Sequence, residues 1–413
     1  MKILIYGINY SPEITGIGKF TGELAEWLIH RGHEVRVVAA PPYYPAWRIG
    51  DGYSGSSYKK ENSGGVTVFR CPLWIPNKVN GLNRVIHLSS FALTSFPILL
   101  LQYFWRPHVV LNIAPALLSS PASLIGSAFF QAKSWLHFQD FELDAAYNLG
   151  ILRMRKLGKM VASAERWILK RFDRISTISN QMVKNLHRKG INESRIVLFP
   201  NWVDTKIIYP LNGSNSVRSE LGISNDTIVA LYAGNMGQKQ GIEILAEVAG
   251  KLESHANIKF VFCGEGSACS RLHFMTTDLK NVTCLPLQPV DRLNNLLNLA
   301  DIHLLPQRAD AADLVMPSKL AGIFASGRPV VAAAVPGTEI ARLVQNRGIV
   351  IRPNDAEEFT EGLLFLAKNP EERKRLGRSG RSYAVEKLSK EKILCRFEND
   401  LYTLVNYGKL EAE

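Results

Sequence analysis

The segment from Asp301 to Val331, DIHLLPQRADAADLVMPSKLAGIFASGRPVV, most narrows what this chain can fold into. It opens with a short apolar run, Ile302 to Leu305, the length of a buried strand. A polar loop carrying Arg308, Asp310 and Asp313 follows. Pro317-Ser318-Lys319 then predicts a helix start, because proline is favoured in the first helical turn. The helix runs out at Ser326-Gly327, and Arg328-Pro329 leads into a second apolar run, Val330 to Ala334. Strand, loop, helix and strand make one unit of a doubly wound α/β sheet. Free N–H groups at a helix start suit a phosphate, and Arg308 and Lys319 would add full positive charge. An ordinary crossover with a solvated lysine accounts for the same residues, and this segment alone does not separate the two readings.

The same alternation fills the first half of the chain. Lys2 to Tyr10 reads as a strand, followed by a glycine-containing loop, a helix from about Lys19 to Arg31 and a strand from Glu34 to Ala40. Gly16 and Gly18 in that loop would let a backbone approach a phosphate closely. They do not form the dinucleotide fingerprint. The third glycine, Gly22, comes one place late, and the second strand ends in Ala39-Ala40-Pro41-Pro42 with no acidic residue for a ribose. Pro41 to Gly65 reads as a long irregular excursion rich in Tyr, Gly and Ser, either functional or a surface loop. An apolar helix near Leu82 to Trp105 lies between strands at Val66 to Cys71 and Pro107 to Ile113. The next strand runs into HFQDFELDAA, which places His137, Asp140 and Glu142 past a strand's C-terminal end, where open α/β sheets bind ligands. Carboxylates there could move a proton or orient a hydroxyl, or could cap the following helix. A helix over 151–174 puts Arg155, Lys159, Arg166 and Lys170 on one face, which suits either water or anionic lipid.

The second half repeats the architecture after a polar stretch, 205–226, that reads as a linker. Strands are predicted at Ile228 to Ala233, Ile258 to Cys263, Val282 to Leu285, Ile302 to Leu305, Val330 to Ala334 and Ile349 to Arg352. Two of them run into glycine loops: YAGNMGQKQG, with Asn235, Lys239 and Gln240, and FCGEG, with Gly264 and Glu265. A chain of 413 residues divides naturally into two domains, set here at 1–204 and 205–389, with a helical tail. The net charge of +12 favours an anionic partner, yet no nucleic-acid-binding motif is present. Five cysteines without a C-x-x-C pair argue against zinc and disulfides and for a cytosolic chain. Leu88 to Trp105 includes Ser89, Ser90, Ser95 and Gln102, which makes it a poor spanning helix. No metal site is expected.

With these residues in view, PSKL…ASGRPVV resembles the C-terminal donor site of bacterial retaining glycosyltransferases of the two-domain GT-B type, the family-4 or group 1 enzymes. Within them the chain is most similar to those of colanic-acid and related exopolysaccharide assembly. GHEV at 32–35, PNWVD at 200–204 (P-N-G-V-D in the family) and the two glycine loops extend the resemblance over nearly the whole chain. The resemblance implies two Rossmann-like doubly wound domains facing a cleft, with the tail from about 390 to 413 crossing back to the first. It implies transfer of a sugar from a nucleotide diphosphate sugar, with GDP-fucose or a UDP-sugar as candidate donors, to a saccharide acceptor that is lipid-linked. It further implies retention at the anomeric carbon, no cofactor, and a cytoplasmic chain peripheral to the inner face of the plasma membrane.

The catalytic candidates are Asp140, Glu142 and His137 from their place past the strand, and the resemblance raises Asp140 above the rest. The donor and phosphate candidates are Gly16, Gly18, Asn235, Lys239, Gln240, Gly264, Glu265, Arg308, Pro317, Ser318 and Lys319. Two departures stand out. Many members have G-R-x-x-x-x-K-G, where this chain has Asn235 for the arginine and Gln240 for the lysine. The family's E-x7-E pair is replaced by Leu314 and Gly322. A nucleotide-sugar epimerase of the same fold and a non-catalytic glycan-binding protein are the rival expectations.

Overall fold

The computed structural model describes the chain apart from residues 15, 79–80, 116–117, 140–154, 212, 214, 238–239, 310–318 and 411–413, and apart from the side chains of 155–157, 159 and 407–410. Asp140, Glu142, Lys239, Pro317 and Ser318 therefore lie outside the described residues, as do the side chains of Arg155 and Lys159. The chain forms two compact units, Met1–Pro200 with Leu394–Glu413, and Asn201–Ile393.

The first unit is built on a sheet of β1 (Lys2–Gly7), β2 (Glu34–Ala39), β3 (Lys59–Ser63), β4 (Val66–Arg70), β5 (Val109–Ile113), β6 (Lys133–Phe138), β7 (Arg174–Thr177) and β8 (Ile196–Leu198). Their spatial order is β3-β4-β2-β1-β5-β6-β7-β8, parallel throughout except for the β3–β4 pair. Central strands such as Val109–Ile113 are buried at every position, as a parallel sheet covered by helices on both faces requires. The order reverses between β1 and β5. Helix α1 (Gly16–His30) packs through Phe20, Leu24, Ala25 and Leu28, one stripe at helical spacing. β3 lies inside the stretch expected to be irregular. Its sequence KKENS has no apolar alternation, because it is a charged edge strand held by backbone pairing to β4. From the tail helix Lys390–Leu410, Phe397 stacks on Phe199 at 4.3 Å and meets Trp135 edge-on at 4.9 Å.

The second unit holds β9 (Ile228–Ala233), β10 (Ile258–Cys263), β11 (Val282–Leu285), β12 (Ile302–Leu305), β13 (Val330–Ala333) and β14 (Gly348–Ile351). All run parallel in the order β11-β10-β9-β12-β13-β14, so the reversal falls between β9 and β12. The short helix Lys319–Ala325 buries Leu320, Ala321, Ile323, Phe324 and Ala325, which makes it a core helix. Residues 205–226, expected as a linker, belong to this unit: Ile208, Val217 and Ile223 are buried. Their polar neighbours have structural tasks. Asn215 caps the helix Ser216–Glu220 and donates from Nδ2 to the Asn295 carbonyl at 2.7 Å.

Candidate functional site

In open α/β sheets the crevice beyond the carboxyl ends of the strands, at the point where strand order reverses, is the usual ligand site. In the second unit β9 ends there in Tyr232-Ala233 and is followed by Gly234. Lys319, at the head of its helix, donates from Nζ to the Tyr232 hydroxyl at 2.8 Å, and Nζ stands 4.1 Å from the Tyr232 ring centroid. The hydroxyl in turn donates to the Asn235 carbonyl at 2.6 Å. Burial pushes the Lys319 ammonium down to about 7, and it raises the Tyr232 phenol above its usual value, so the phenol stays neutral. A charge that is costly to bury and held against a π face is available to an anion.

The two glycine loops run side by side next to this lysine. Gly234 N–H donates to the Cys263 carbonyl (2.9 Å), Met236 N–H to the Glu265 carbonyl (2.8 Å) and Ala268 N–H to the Met236 carbonyl (2.8 Å). Gly264 has φ 149°, and a Cβ there would fall on the Gly234 carbonyl oxygen, so glycine is what lets the loops touch. Asn235 and Glu265 are exposed on this rim, and Gln240 is half-buried. Arg308 follows β12 and is exposed, with its Cγ packed near Gly241. Gly241 and Arg308 also border a depression of about 690 Å³ whose other walls include Glu243, Glu247, Arg271 and Asn354. Lys319 and Tyr232 do not line it. The predicted residues described in this unit thus form a group around the end of β9, with Lys319, Asn235 and Glu265, and a second group beside it, with Gly241 and Arg308.

In the first unit the loop after β1 is organised by Glu13, which sequence reasoning missed. Its Oε1 accepts from the Tyr43 and Tyr44 amides at 3.2 and 3.1 Å, and Asn9 Nδ2 donates to the carboxylate at 3.0 to 3.2 Å. A Cβ on Gly18 would collide with this carboxylate, so the missing side chain of Gly18 makes room for Glu13. Gly16 faces the Tyr44 ring. Burial raises the Glu13 carboxyl to about 7, against the hydrogen bonds and the Arg70 charge that oppose the shift. Arg70 donates to the Ser11 and Ala40 carbonyls and to Glu61.

His137 corrects the sequence-based placement. It lies within β6 rather than past its end, is 3% exposed, and sits with Nδ1 2.9 Å from Ser176 Oγ and its ring 5.0 Å from Phe199. Burial lowers it to about 3, so it stays neutral. The apolar run simply continues through it. Tyr232 was the other omission, and nothing in sequence couples it to a lysine 87 positions away.

Comparison with known proteins bears directly on this geometry. A model of the glycosyl transferase 4-like domain matches residues 15–202, and a model of glycosyl transferases group 1 matches residues 214–383. A protein of Escherichia coli K12 assigned to colanic acid biosynthesis as a glycosyl transferase, WcaI, is 39% identical over 97% of this chain and 100% of its own length. The chain is a group 1 glycosyltransferase. Sucrose-phosphate synthase from Thermosynechococcus elongatus superposes with a TM-score of 0.76 at 16% identity, covering 100% of this chain and 99% of that one. Anabaena HepE, solved with UDP and glucose, gives 0.68 at 14% identity, covering 98% and 100%. At such identities the likeness carries the fold of this glycosyltransferase, which is GT-B. Both matched models describe glycosyl transferases, and the epimerase reading is set aside.

Proposed function

We propose that this glycosyltransferase moves a sugar from a nucleotide diphosphate sugar, GDP-fucose or a UDP-sugar, to a saccharide built on a lipid carrier. The pathway is assembly of an exopolysaccharide of the colanic-acid kind, and the anomeric configuration is retained. The observation that carries the reading is Lys319, held on Tyr232 beside the paired glycine loops at the reversal point of the second sheet. As the bond from the anomeric carbon to the leaving oxygen breaks, its electron pair departs with the nucleoside diphosphate, and charge grows on the β-phosphate. An ammonium placed there stabilises the transition state more than the ground state. Tyr232 sets the direction of Nζ and, as a neutral phenol, does not compete for its proton. Arg308 is the second cation of this reading. Asp140 and Glu142 are assigned to orienting the acceptor or the sugar and to receiving the acceptor hydroxyl's proton. His137, neutral inside β6, is left out of the reaction.

The relative assigned to colanic acid biosynthesis supports the pathway, and HepE with UDP and glucose supports the donor class. A lipid-linked acceptor places a cytoplasmic enzyme at the inner face of the plasma membrane. The test is nucleotide release and sugar transfer with a panel of UDP- and GDP-sugars. Lys319→Ala is expected to lower turnover at least ~10-fold, or ~1.4 kcal/mol of transition-state stabilisation. Near-wild-type turnover in that variant overturns the assignment. Asp140→Asn is expected to lose transfer and keep nucleotide binding; unchanged transfer, or a collapse of thermal stability, would mark Asp140 as a helix cap.

A further inference from the structure

At the carboxyl edge of the first sheet two buried charged side chains tie neighbouring loops together. Glu13, 5% exposed, lies in the loop after β1, and its Oε1 accepts from the Tyr43 and Tyr44 amides of the excursion after β2. Arg70, 2% exposed at the end of β4, joins the same two segments by donating to the Ser11 carbonyl and, at 2.9 Å, to the Ala40 carbonyl. Its Nε donates to Glu61 at 2.8 Å, so the guanidinium serves Glu61 and two carbonyls while the Glu13 carboxylate serves amides. The excursion is therefore fixed through its backbone at Tyr43 and Tyr44, and that decides where the two rings go. Tyr43 is buried and meets His87 of helix α2 (Gly81–Tyr103) edge-on at 4.9 Å. Tyr44 stays partly exposed, with its ring against Gly16 at the head of α1. A Cβ on Gly16 would stand 3.3 Å from that ring, and its φ of 64° favours glycine as well.

A neutral amide would do the structural part of this task. The carbonyl oxygen of a glutamine accepts from two amides as a carboxylate does, and it brings no charge to desolvate. The chain instead places at position 13 an acid whose charged form is costly there, because burial raises its carboxyl to about 7. The groups facing Glu13 are Arg70 from β4, with Glu61 behind it, Tyr10 from its own loop, His87 of α2 behind Tyr43, and α1, which presents Gly18. Burial raises the Tyr10 phenol and lowers His87, whose Nδ1 is 2.7 Å from the Trp74 carbonyl, so both are neutral near pH 7. Lys19, the next residue of α1, is paired with Glu23 at 3.9 Å. Ionisation of Glu13 strengthens its bonds to the Tyr43 and Tyr44 amides, since a charged acceptor binds N–H roughly twice as strongly as a neutral one. A perturbed carboxyl retained at this sheet edge, where an amide would serve the fold, points to a part in the reaction.

We propose that Glu13 is a positioning residue for sugar transfer: its carboxylate locks the Tyr43–Tyr44 backbone, so that the Tyr44 ring and Gly16 form a fixed rim for the saccharide acceptor, and its protonated form loosens that rim. Glu13 acts through the loop and touches no substrate. The strand order reverses between β1 and β5, so the loop after β1 borders the crevice where open α/β sheets take ligands. An aromatic ring beside a glycine backbone suits a saccharide, whose C–H face packs on the ring while its hydroxyls reach polar groups. That the ligand of the rim is a saccharide rests on the transferase reading; the lock rests on the loop geometry alone.

The test has two arms. Hydrogen exchange of the full chain without ligand, read by mass spectrometry and corrected for intrinsic rates, follows the segment holding Tyr43 and Tyr44 at pH 6 and pH 8. Glu13 passes from about one-tenth to about nine-tenths ionised over that range, so protection should rise up to about tenfold, and the rise should vanish in Glu13→Gln. The second arm is transfer from the panel of UDP- and GDP-sugars to methyl glycosides of glucose, galactose and fucose, with donor saturating so that Lys319 keeps its proton. Wild-type kcat/KM for the glycoside should rise about tenfold from pH 6 to 8, through KM more than kcat. Glu13→Gln should stay at the wild-type pH 6 value throughout, with a thermal midpoint no lower than wild type. Tyr44→Ala should lose transfer at both pH values and keep the pH dependence, because Glu13 holds the backbone and not the ring. Three results overturn the proposal: equal wild-type protection at both pH values, the wild-type pH dependence of transfer in Glu13→Gln, or wild-type transfer in Tyr44→Ala. A wild type that turns over no donor at any pH overturns the transferase reading, and with it the acceptor role, while the exchange arm still decides the lock.

Discussion

A lysine that is neutral half the time near pH 7 should bind a diphosphate only by taking up a proton. Burial lowers Lys319 from 10.5 to about 7, while the terminal phosphate of a nucleoside diphosphate has already ionised near pH 6. Between pH 7.5 and 9 the lysine is then the group that titrates. At pH 8 about one-tenth of free sites carry the proton, and at pH 9 about one-hundredth. A bound diphosphate within a few ångströms restores the lysine's ordinary affinity for its proton, because an opposite charge favours the charged form. Nucleotide diphosphate affinity is therefore expected to fall about tenfold, or ~1.4 kcal/mol, from pH 8 to 9. Close to one proton should be taken up per ligand bound at pH 8, on the order of 0.9 by the same titration.

Titration calorimetry in buffers of different ionisation enthalpy measures that uptake directly. Lys319→Met keeps the apolar stem and should abolish both the uptake and the pH dependence. Tyr232→Phe removes the hydroxyl that accepts from Nζ, so the charged form loses a partner and the break in affinity should move to lower pH. Flat wild-type affinity over pH 7.5 to 9 with no proton uptake would refute the reasoning. An unchanged affinity in Lys319→Met would show that this lysine touches no phosphate.

Two further outcomes follow from the geometry. The folded-state carboxyl of Glu13 is raised, so between pH 4.5 and about 7 the folded chain holds a proton that the unfolded chain has released, and stability falls as pH rises through that window. Glu13→Gln removes this and should gain on wild type by up to roughly 3 kcal/mol at pH 8 relative to pH 5, read from urea unfolding; the same difference at both pH values would contradict it. Gly264→Ala should drive the two loops of the second unit apart and weaken nucleotide diphosphate binding at least ~10-fold, as followed by calorimetry. Wild-type affinity in that variant would remove the loop contact from the site.

Much of the fold was legible because a parallel sheet writes itself as short apolar runs separated by helices. Every strand of the second unit is such a run, and the glycine loops followed from their position after β9 and β10. What failed did so for definable reasons. β3 has no apolar signature, since an edge strand needs only backbone partners. Residues 205–226 looked like a linker because a polar residue such as Asn215, which caps a helix and bridges to Asn295 in the folded unit, has the composition of a loop. His137 was drawn to the carboxylates after it by adjacency, while its burial is decided by β7 and Phe199, far away in sequence. Gly18 was read as room for a ligand, and the room is occupied by Glu13. The Lys319–Tyr232 pair was invisible for the same reason: pattern reveals elements, whereas pairings between elements emerge only when the sheet order is known.

The departures from the family's charge pattern have a physical consequence. Asn235 stands where many members place an arginine, and the cation found beside the end of β9 is Lys319. An arginine there would keep its charge whether or not a donor were bound, because its proton is not lost in proteins. Among the described residues no carboxylate pairs with the Lys319 ammonium, and a lysine escapes the cost of unpaired burial by releasing its proton when the site is empty. On the proposed reading the charge returns with the diphosphate, in the state where it would offset the growing negative charge of the leaving group. Tyr232 makes this workable. Its ring face and hydroxyl keep Nζ aimed past Gly234 in either protonation state, so uptake of a proton alters charge without requiring the side chain to be repositioned.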